Sequence, residues 1–381
     1  MPISSIAMYA KSNITRYNIN ELKTFVQFIS KLERPAAYNK KTASITITES
    51  AYPENTAHDI PYFTEQIKTS PFSDEAKGLG ILCLVNSLEP LSYTAKDGQY
   101  LRWDIRSQKI IEANAARIAS GREPLKVKLD KGNLPTVKTI LVEELTKAID
   151  DISYLQRNMP PFSQNVKITF KQASALFELP LLKENTIDGV ITSPPYCNRY
   201  DYTRIYALEL VYLGMDEAAI RKTRQALLSC TVESKSKIDS LRDYYASIGK
   251  ITDCKKIIEA ITNNKALTEV LVALKTRNDN GDINNKGVLK MVKGYFEELA
   301  FVYYELYRIC KKGACVAFVN DNVRYAGEVI PVDFISTELA RHFGFTPLKI
   351  YTLRQQKGNS SQQMAKFGRV PLRKSITLWQ K

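Results

Sequence analysis

The stretch Asp188-Gly-Val-Ile-Thr-Ser-Pro-Pro-Tyr196 joins a short apolar run to a turn whose groups could do chemistry. Two consecutive prolines fix two φ angles and remove two N–H donors, so a strand must end there. The turn carries free carbonyls, with a hydroxyl before the prolines and an aromatic ring after them. Proteins of the α/β class place such groups at the carboxyl edge of a sheet, where ligands bind.

These groups suit the transfer of a methyl group to the exocyclic amine of cytosine or adenine. That amine is a poor nucleophile because its lone pair is delocalised into the ring. Acceptors must therefore hold its hydrogens and direct its lone pair towards a sulfonium methyl group. The Ser193 hydroxyl and the Pro194 carbonyl can accept, and Pro195 helps to keep that carbonyl fixed. Tyr196 offers a ring on which a flipped base can stack. An ordinary proline-terminated strand end is the alternative interpretation.

The elements that must position this turn follow from the hydrophobic periodicity. Strand patterns occur at residues 44–48, 166–170, 188–191, 314–319, 345–352 and 375–379. Helical patterns occur at residues 20–32, 136–157, 202–213, 288–311 and 332–342. Residues 77–87 form an apolar run that fits either type. The charged segment 216–290 has the pattern of an inserted helical subdomain.

Composition and charge indicate a globular protein with a polyanionic partner. Hydrophobic residues make up 44% of the 381 residues, charged residues make up 25%, and the net charge is +14. That excess suits double-stranded DNA, although it could also serve solubility alone. The six cysteines show no CxxC spacing and there are two histidines, so we expect neither a metal site nor a disulfide framework. No membrane-spanning or signal-peptide pattern occurs, so we expect a cytoplasmic protein without a membrane partner.

The stretch 188–196 resembles motif IV of the DNA amino-methyltransferases. Its Ser-Pro-Pro-Tyr form is most typical of enzymes that methylate cytosine N4, whereas adenine-N6 enzymes more often carry Asp or Asn at the first place. Ser193 therefore favours cytosine, and adenine is the near alternative. Residues 197–202, 316–325 and 368–373 look like later blocks of the same family, so the resemblance runs from about residue 93 to residue 381.

The resemblance implies a Rossmann-like α/β methyltransferase fold that uses S-adenosylmethionine, in a bacterial, archaeal or phage modification system. Its sheet has the strand order 3-2-1-4-5-7-6. The predicted strands that begin near residues 166, 188, 314, 345 and 375 can serve as strands 3, 4, 5, 6 and 7, whereas strands 1 and 2 have no candidate. A parallel sheet that lacks its middle leaves strand edges unpaired.

The glycine-rich cofactor loop of this family, Phe-x-Gly-x-Gly, has no clear counterpart. The single G-x-G sequence, Gly78-Leu-Gly80, precedes an apolar run instead of following one. We therefore expect a second subunit that carries the cofactor half of the enzyme; the alternative is that residues 1–90 fill the gap in a degenerate form. The resemblance further implies contacts with the cofactor from Ser174, Asp188 and Thr192.

Basic and amide side chains supply the candidate DNA contacts. Arg199 and Arg204 flank the Ser-Pro-Pro-Tyr turn and could clamp phosphates, or they could be solvated surface charges. A later loop has the composition of a segment that reads base edges, with a flexible polar loop as the alternative. Its candidate contacts are Arg354, Gln355, Lys357, Lys366 and Arg369. Residues 320–322, at the end of a neighbouring strand, face the same cleft or form a polar turn.

These observations divide the chain by expected role. We expect an N-terminal extension at residues 1–92, the first part of a methyltransferase domain at 93–215, a helical insert that could recognise the target at 216–287, and the rest of the domain at 288–381. The aromatic and basic segment 93–107 would touch nucleic acid or form a surface loop. From a different class of function, the chain could be a DNA-binding or interaction protein that has lost the cofactor.

Overall fold

The computed structural model describes residues 1–97, 100–160, 168–354, 367–368 and 370–381. The chain forms two compact units. Met1–Gln172 and Tyr202–Thr223 form the first unit, and Ala173–Asp201 and Arg224–Lys381 form the second. This division cuts across the four segments expected from the sequence, which divide the chain by role and stay a prediction.

The first unit is mainly helical, with one small hairpin. Its elements are α1 (Pro2–Ser12), α2 (Ile19–Lys31), α3 (Glu54–Thr69), α4 (Asp74–Ser87), β1 (Thr94–Lys96), β2 (Leu101–Trp103), α5 (Gln108–Ala119), α6 (Val137–Asn158), α8 (Tyr202–Ile205), α9 (Ala207–Tyr212) and most of α10 (Glu217–Ala226). β1 and β2 pair antiparallel. In the part of the chain that the structure describes, no helix is long and apolar enough to cross a bilayer.

The core of the first unit forms where α6 packs on α2 and α4. The predicted helical periodicity is confirmed there, since Leu141 and Leu145 of α6 and Phe25 and Ile29 of α2 are fully buried. α2 and α6 each begin with a side-chain cap. The Thr136 side chain accepts a hydrogen bond from the Thr139 N–H in α6, and α2 begins one residue earlier than expected because Asn18 is its cap.

In the first unit, one segment differs from its expected structure, and one segment with an ambiguous pattern proves to be helical. Residues 44–48 were expected to form a strand, but they form turns, because the Thr48 hydroxyl oxygen accepts from the Ile45 N–H at 3.0 Å and closes the chain locally. The ambiguous run 77–87 is helical and belongs to α4. Gly78 and Gly80 lie inside α4, where an added Cβ would come within 2.8 Å of the Tyr9 ring and 2.9 Å of the Phe25 ring. Both glycines therefore serve close helix packing.

The second unit combines a sheet with a set of helices, so the chain has a mixed α/β fold. Its elements are α7 (Ala175–Glu178), β3 (Ile187–Thr192), α11 (Ile238–Ser247), α12 (Ile251–Thr262), α13 (Lys265–Asp279), α14 (Gly287–Ile309), β4 (Cys310–Asp321), β5 (Val323–Tyr325), β6 (Glu328–Ile330), α15 (Val332–His342), β7 (Thr346–Leu353) and β8 (Lys374–Gln380). β5 and β6 form a separate antiparallel pair.

The main sheet has the order β3-β4-β8-β7. β3 and β4 are parallel, and β8 runs antiparallel to both of its neighbours. This is the order that the resemblance implies for strands 4, 5, 7 and 6. The expected strand at residues 166–170 is not formed where it is described. Residues 168–170 have no strand partner, and Ile168 and Phe170 are exposed, so they lack the packing that favours a strand.

The two faces of this sheet differ in burial. On one face, Phe318 of β4 stacks on Trp379 of β8 with ring centroids 5.5 Å apart, and Tyr303 of α14 meets both rings edge-on. On the opposite face, Ile191 of β3 is 88% exposed and Cys315 of β4 is also exposed. Among the described residues, β3 pairs only with β4, so its other edge is free. One face of the sheet is therefore buried, and the other face is open to solvent.

The turn between α15 and β7 depends on a glycine. Gly344 has a φ of +113°, and a Cβ there would lie 2.5 Å from Cζ of Tyr307. Gly344→Ala should lower the free energy of unfolding by about 2–4 kcal/mol, because backbone strain and a clash add. Gly313→Ala is the matched control, since its φ is +84° with nothing within 4 Å. Urea unfolding measures both, and equal losses would contradict the clash.

Candidate functional site

The Ser-Pro-Pro-Tyr turn begins directly after β3, at the carboxyl end of the sheet. Thr192, the last residue of β3, is in register with Phe318 of β4. Beyond the turn, the Cys197 carbonyl accepts a hydrogen bond of 2.7 Å from the buried Tyr325 hydroxyl. The Asn198 N–H donates to the Tyr196 carbonyl at 2.8 Å. The turn is thus fixed at its start by the sheet and at its end by the core.

The two polar side chains of the turn meet each other. The Ser193 Oγ and the Tyr196 Oη are 3.1 Å apart, within hydrogen-bonding distance. Ser193 is exposed and Tyr196 is half-buried. The hydroxyl pair therefore faces solvent while hydrogen bonds hold the backbone that follows it.

Two further charged groups lie beside the turn. Asp321, the last residue of β4, is in register with Lys374, the first residue of β8. The Lys374 ammonium nitrogen lies 5.5 Å from the centre of the Tyr196 ring, on its face. Lys374 therefore lies between the turn and the end of β4, where Asp321 is its strand partner.

The Asp321 carboxyl group is unusual for its surroundings. Its Oδ1 atom is buried and has no hydrogen-bond partner among the described residues. Burial raises the pKa of Asp321 above its usual value, and the charge of Lys374 opposes that shift. A buried acceptor without a partner can take a hydrogen bond from a ligand that enters the site.

The neighbouring residue Asn320 has a structural role. Its side-chain amide donates to the buried Tyr295 hydroxyl at 2.8 Å, and its side-chain oxygen accepts from the Asp321 N–H at 2.9 Å. Asn320 is 2% exposed, so it does not face the opening. Of the polar run 320–322, Asp321 is the residue in register with Lys374, whose ammonium lies over the Tyr196 ring.

The three residues expected to contact the cofactor lie apart. Thr192 adjoins the turn, but Asp188 lies five residues before Ser193 at the other end of β3, about 16 Å away by strand geometry. The exposed Asp188 carboxylate forms an ion pair of 2.6 Å with Lys311. Ser174 precedes α7 without a side-chain capping bond. Their roles as cofactor ligands stay a prediction.

The expected DNA contacts divide between the two units. Arg199 belongs to the second unit, has a φ of +67°, and donates to the Asn284 side chain at 3.4 Å. Arg204 belongs to the first unit, where its guanidinium lies 6.0 Å from the centre of the Tyr100 ring. Arg354 follows β7 and is exposed. Gln355, Lys357, Lys366 and Arg369 lie outside the described residues.

Sequence reasoning did not select Lys374 and gave Asp321 no separate role. A signal for Asp321 exists, since an acidic residue ends a buried strand that neighbours the turn in the expected sheet order. Lys374 carries no such signal, because an antiparallel register across a long connection brings it beside Asp321. No group of three or more His, Cys, Asp or Glu side chains in the described part could hold a metal ion.

Relatives of the chain fit the chemistry of this turn. The chain is 55% identical over 381 residues to the type II methyltransferase M.BsoBI of Geobacillus stearothermophilus, and the match covers all of this chain and 74% of that protein. It is 39% identical over 340 residues to the type II methyltransferase M.AvaI of a Nostoc species and of Anabaena variabilis, covering 88% of this chain and 65% of theirs. No family profile and no solved structure matches. The chain therefore belongs to the family of type II DNA methyltransferases.

Proposed function

We propose that this chain binds and methylates a base flipped out of duplex DNA, with cytosine N4 as the acceptor and S-adenosylmethionine as the donor. The observation that carries the proposal is the contact between the Ser193 and Tyr196 hydroxyls at the end of β3, beside Lys374, whose partner on β4 is the unpartnered Asp321. These groups supply a hydroxyl, an aromatic ring and an unpartnered carboxylate oxygen. This combination suits a planar base with an exocyclic amine, which needs a stacking surface and hydrogen-bond acceptors.

The roles of the residues follow from the electronics of the amine. The base stacks on Tyr196, on the face that Lys374 does not occupy. The Pro194 carbonyl and the Ser193 hydroxyl accept the two amine hydrogens, which turns the lone pair out of conjugation. As the nitrogen formed its bond to the methyl carbon, the carbon–sulfur bond of the donor would break with its electron pair staying on sulfur, and the nitrogen would then lose one proton. We assign that proton to the Asp321 carboxylate, the described acceptor beside the turn that has no partner.

The choice of cytosine rests on the first residue of the turn. Ser193 presents a short hydroxyl that also contacts the Tyr196 hydroxyl. Its place is more often taken by Asp or Asn in adenine-N6 enzymes, as the resemblance implies. Adenine N6 is the alternative acceptor, and the same residues would hold its amine.

S-adenosylmethionine, when bound, supplies the sulfonium methyl group. The described residues do not fit its binding loop, because none of their strands is followed by a glycine-rich turn and Gly78 and Gly80 lie within α4. The alternative that residues 1–90 fill the gap in a degenerate form finds no support in their structure. Residues 1–93 are all described and form four α-helices without a strand.

We therefore propose that the cofactor half of the enzyme is supplied by a second subunit or by a further segment of a longer protein. The free edge of β3 and the open sheet face that holds Ile191 and Cys315 support this, because parallel strands such as β3 and β4 are normally covered on both faces. The relatives M.BsoBI and M.AvaI are longer than the part that this chain matches.

The reactivity of one exposed cysteine can show whether the open face of the sheet is covered. Cys315 is exposed, whereas the other five cysteines are buried; burial raises the pKa of the Cys83 and Cys230 thiols to about 12. A thiol reagent such as DTNB should therefore label one thiol quickly in the folded chain. The cofactor half, once bound, should protect Cys315. Cys315→Ser is the control that removes the fast phase, and unchanged labelling in the assembled enzyme would contradict the proposed docking.

Mass spectrometry of nucleosides tests the activity itself. DNA from cells that express the chain with its companion polypeptide should contain N4-methylcytosine, and N6-methyladenine would instead identify the alternative acceptor. Calorimetry should detect S-adenosylmethionine binding to the assembly and not to the 381-residue chain alone. Unmodified DNA together with no cofactor binding in either case would favour a DNA-binding protein without catalysis.

A further inference from the structure

A second charged surface lies in the first unit, in the aromatic and basic stretch whose role the sequence left open. A groove of about 440 Å³ is lined by the end of β2, one residue of α5 and the segment 126–129. Its lining residues are Arg102, Trp103, Ile110, Lys126, Val127, Lys128 and Leu129. We call it the first-unit groove.

The first-unit groove has an apolar floor and a cationic rim. Exposure alternates along the segment, with Lys126 and Lys128 exposed and Val127 and Leu129 half-buried. The segment is tied to the hairpin by a parallel bridge between Leu129 and Asp104. Alternation of this kind puts both lysines on the solvent side, about 6.6 Å apart along the chain.

The two lysines lack an ion-pair partner in the described part of the chain, and the nearby exposed Asp130 pairs with Arg106 at 3.6 Å. Neither Lys126 nor Lys128 forms an ion pair there, whereas Arg102 pairs with Asp97 at 2.8 Å. Residues 102–131 contain eight Lys or Arg and four Asp or Glu. The buried Asp104 does not offset the rim, because Arg106 binds its carboxylate through two bonds and holds its pKa below the usual range.

One face of the aromatic ring in the groove is covered by a lysine. The Lys109 ammonium lies 4.7 Å from the centre of the Trp103 ring and covers one face of it. The same ammonium donates to the Thr46 carbonyl at 3.1 Å, which holds Lys109 there. Trp103 also packs against the core of the first unit, so the part of the groove most open to a ligand is its positive rim.

We propose that the first-unit groove binds the phosphate backbone of duplex DNA, independently of sequence, through Lys126 and Lys128. This inference rests on the proposed function, since it takes DNA as the substrate. It adds a contact surface in the unit that does not contain the Ser-Pro-Pro-Tyr turn. Each phosphate that a lysine neutralises releases counterions, so this contribution depends on salt.

The test measures duplex binding by the full chain at several salt concentrations, using fluorescence anisotropy. Lys126→Ala with Lys128→Ala should make the slope of log K against log salt shallower by about 1.8. Affinity at 0.1 M salt should fall about tenfold or more, equally for duplexes with and without a methylation site. The matched control is Lys23→Ala with Lys68→Ala, two exposed lysines of the same unit on α2 and α3, which should leave the slope unchanged.

Each outcome decides the inference. An unchanged slope in the Lys126 and Lys128 double variant overturns it, as does an equal loss in the control. A loss confined to single-stranded DNA or RNA probes also overturns it and assigns the groove to those ligands. Circular dichroism melting checks that both variants fold. Nucleoside analysis is scored separately. If DNA is not methylated but the Lys126 and Lys128 double variant has a shallower salt slope, the proposed function is contradicted and the phosphate contact of the first-unit groove is supported.

Discussion

Replacing Tyr196 with alanine is expected to lower kcat/KM for DNA methylation about 100-fold without unfolding the protein. Stacking on an aromatic ring contributes about 1–3 kcal/mol per base, and the hydroxyl contact with Ser193 contributes about 1 kcal/mol more. Tyr196 is half-buried, and its backbone is held through the Asn198 N–H and the anchored Cys197 carbonyl, neither of which the substitution removes. Single-turnover methylation of a duplex by the assembled enzyme measures the effect.

Two variants separate the parts of this effect. Tyr196→Phe keeps the ring and removes the hydroxyl, so its loss should be several-fold only. Tyr154→Ala removes a 62% exposed tyrosine from α6 in the other unit and should have full activity. Adding Pro194→Ala to Tyr196→Ala should abolish methylation in a folded protein. Full activity in that double variant would refute the roles given to the turn.

Replacing Asp321 with asparagine should lower the single-turnover rate about 100-fold, because an amide cannot take the proton that the amine loses. The pH profile is the more specific measurement. Burial raises the pKa of Asp321, so the wild-type rate should rise with pH as that carboxyl group ionises. The asparagine variant should lack this rise. An identical profile in the variant would contradict the role of Asp321.

The contribution of Asp321 to the free energy of unfolding should fall as pH rises, whereas the methylation rate should rise. A raised folded-state pKa means that the folded protein holds the Asp321 proton more tightly than the unfolded chain does. This contribution is fully present below the unfolded pKa and is lost as pH rises through the folded pKa. Asp321→Asn should therefore be at least as stable as the wild type at pH 8. Asp239→Asn, which changes a 91% exposed side chain, is the control for both measurements.

The parts of the fold that the sequence predicted well have strong local signals. The helix 332–342 was predicted at its observed bounds, and β3 ends where the two prolines require. The prediction at residues 44–48 was wrong, because their alternation of apolar and threonine residues fits a strand equally well. The Thr48 hydroxyl closes a turn instead, and only local side-chain geometry reveals it.

Only half of the candidate site could be predicted, because some of its residues are adjacent in sequence and others are far apart. The turn 193–196 is contiguous in sequence, so its residue types could be interpreted together. Asp321 and Lys374 come from strands separated by more than fifty residues, and their meeting depends on antiparallel register. The pattern at 166–170 has the opposite problem, since alternation alone does not form a strand without a neighbour to pair with.

The chain passes between its two units three times, after Gln172, Asp201 and Thr223. No single cut in the gene therefore separates them. A fragment that starts at residue 173 would carry Ala207 and Leu208, which are buried in the core of the first unit, without the rest of that core. A recombination event that exchanges one unit between relatives must move two segments together. The two units should therefore be inherited, expressed and lost as one piece.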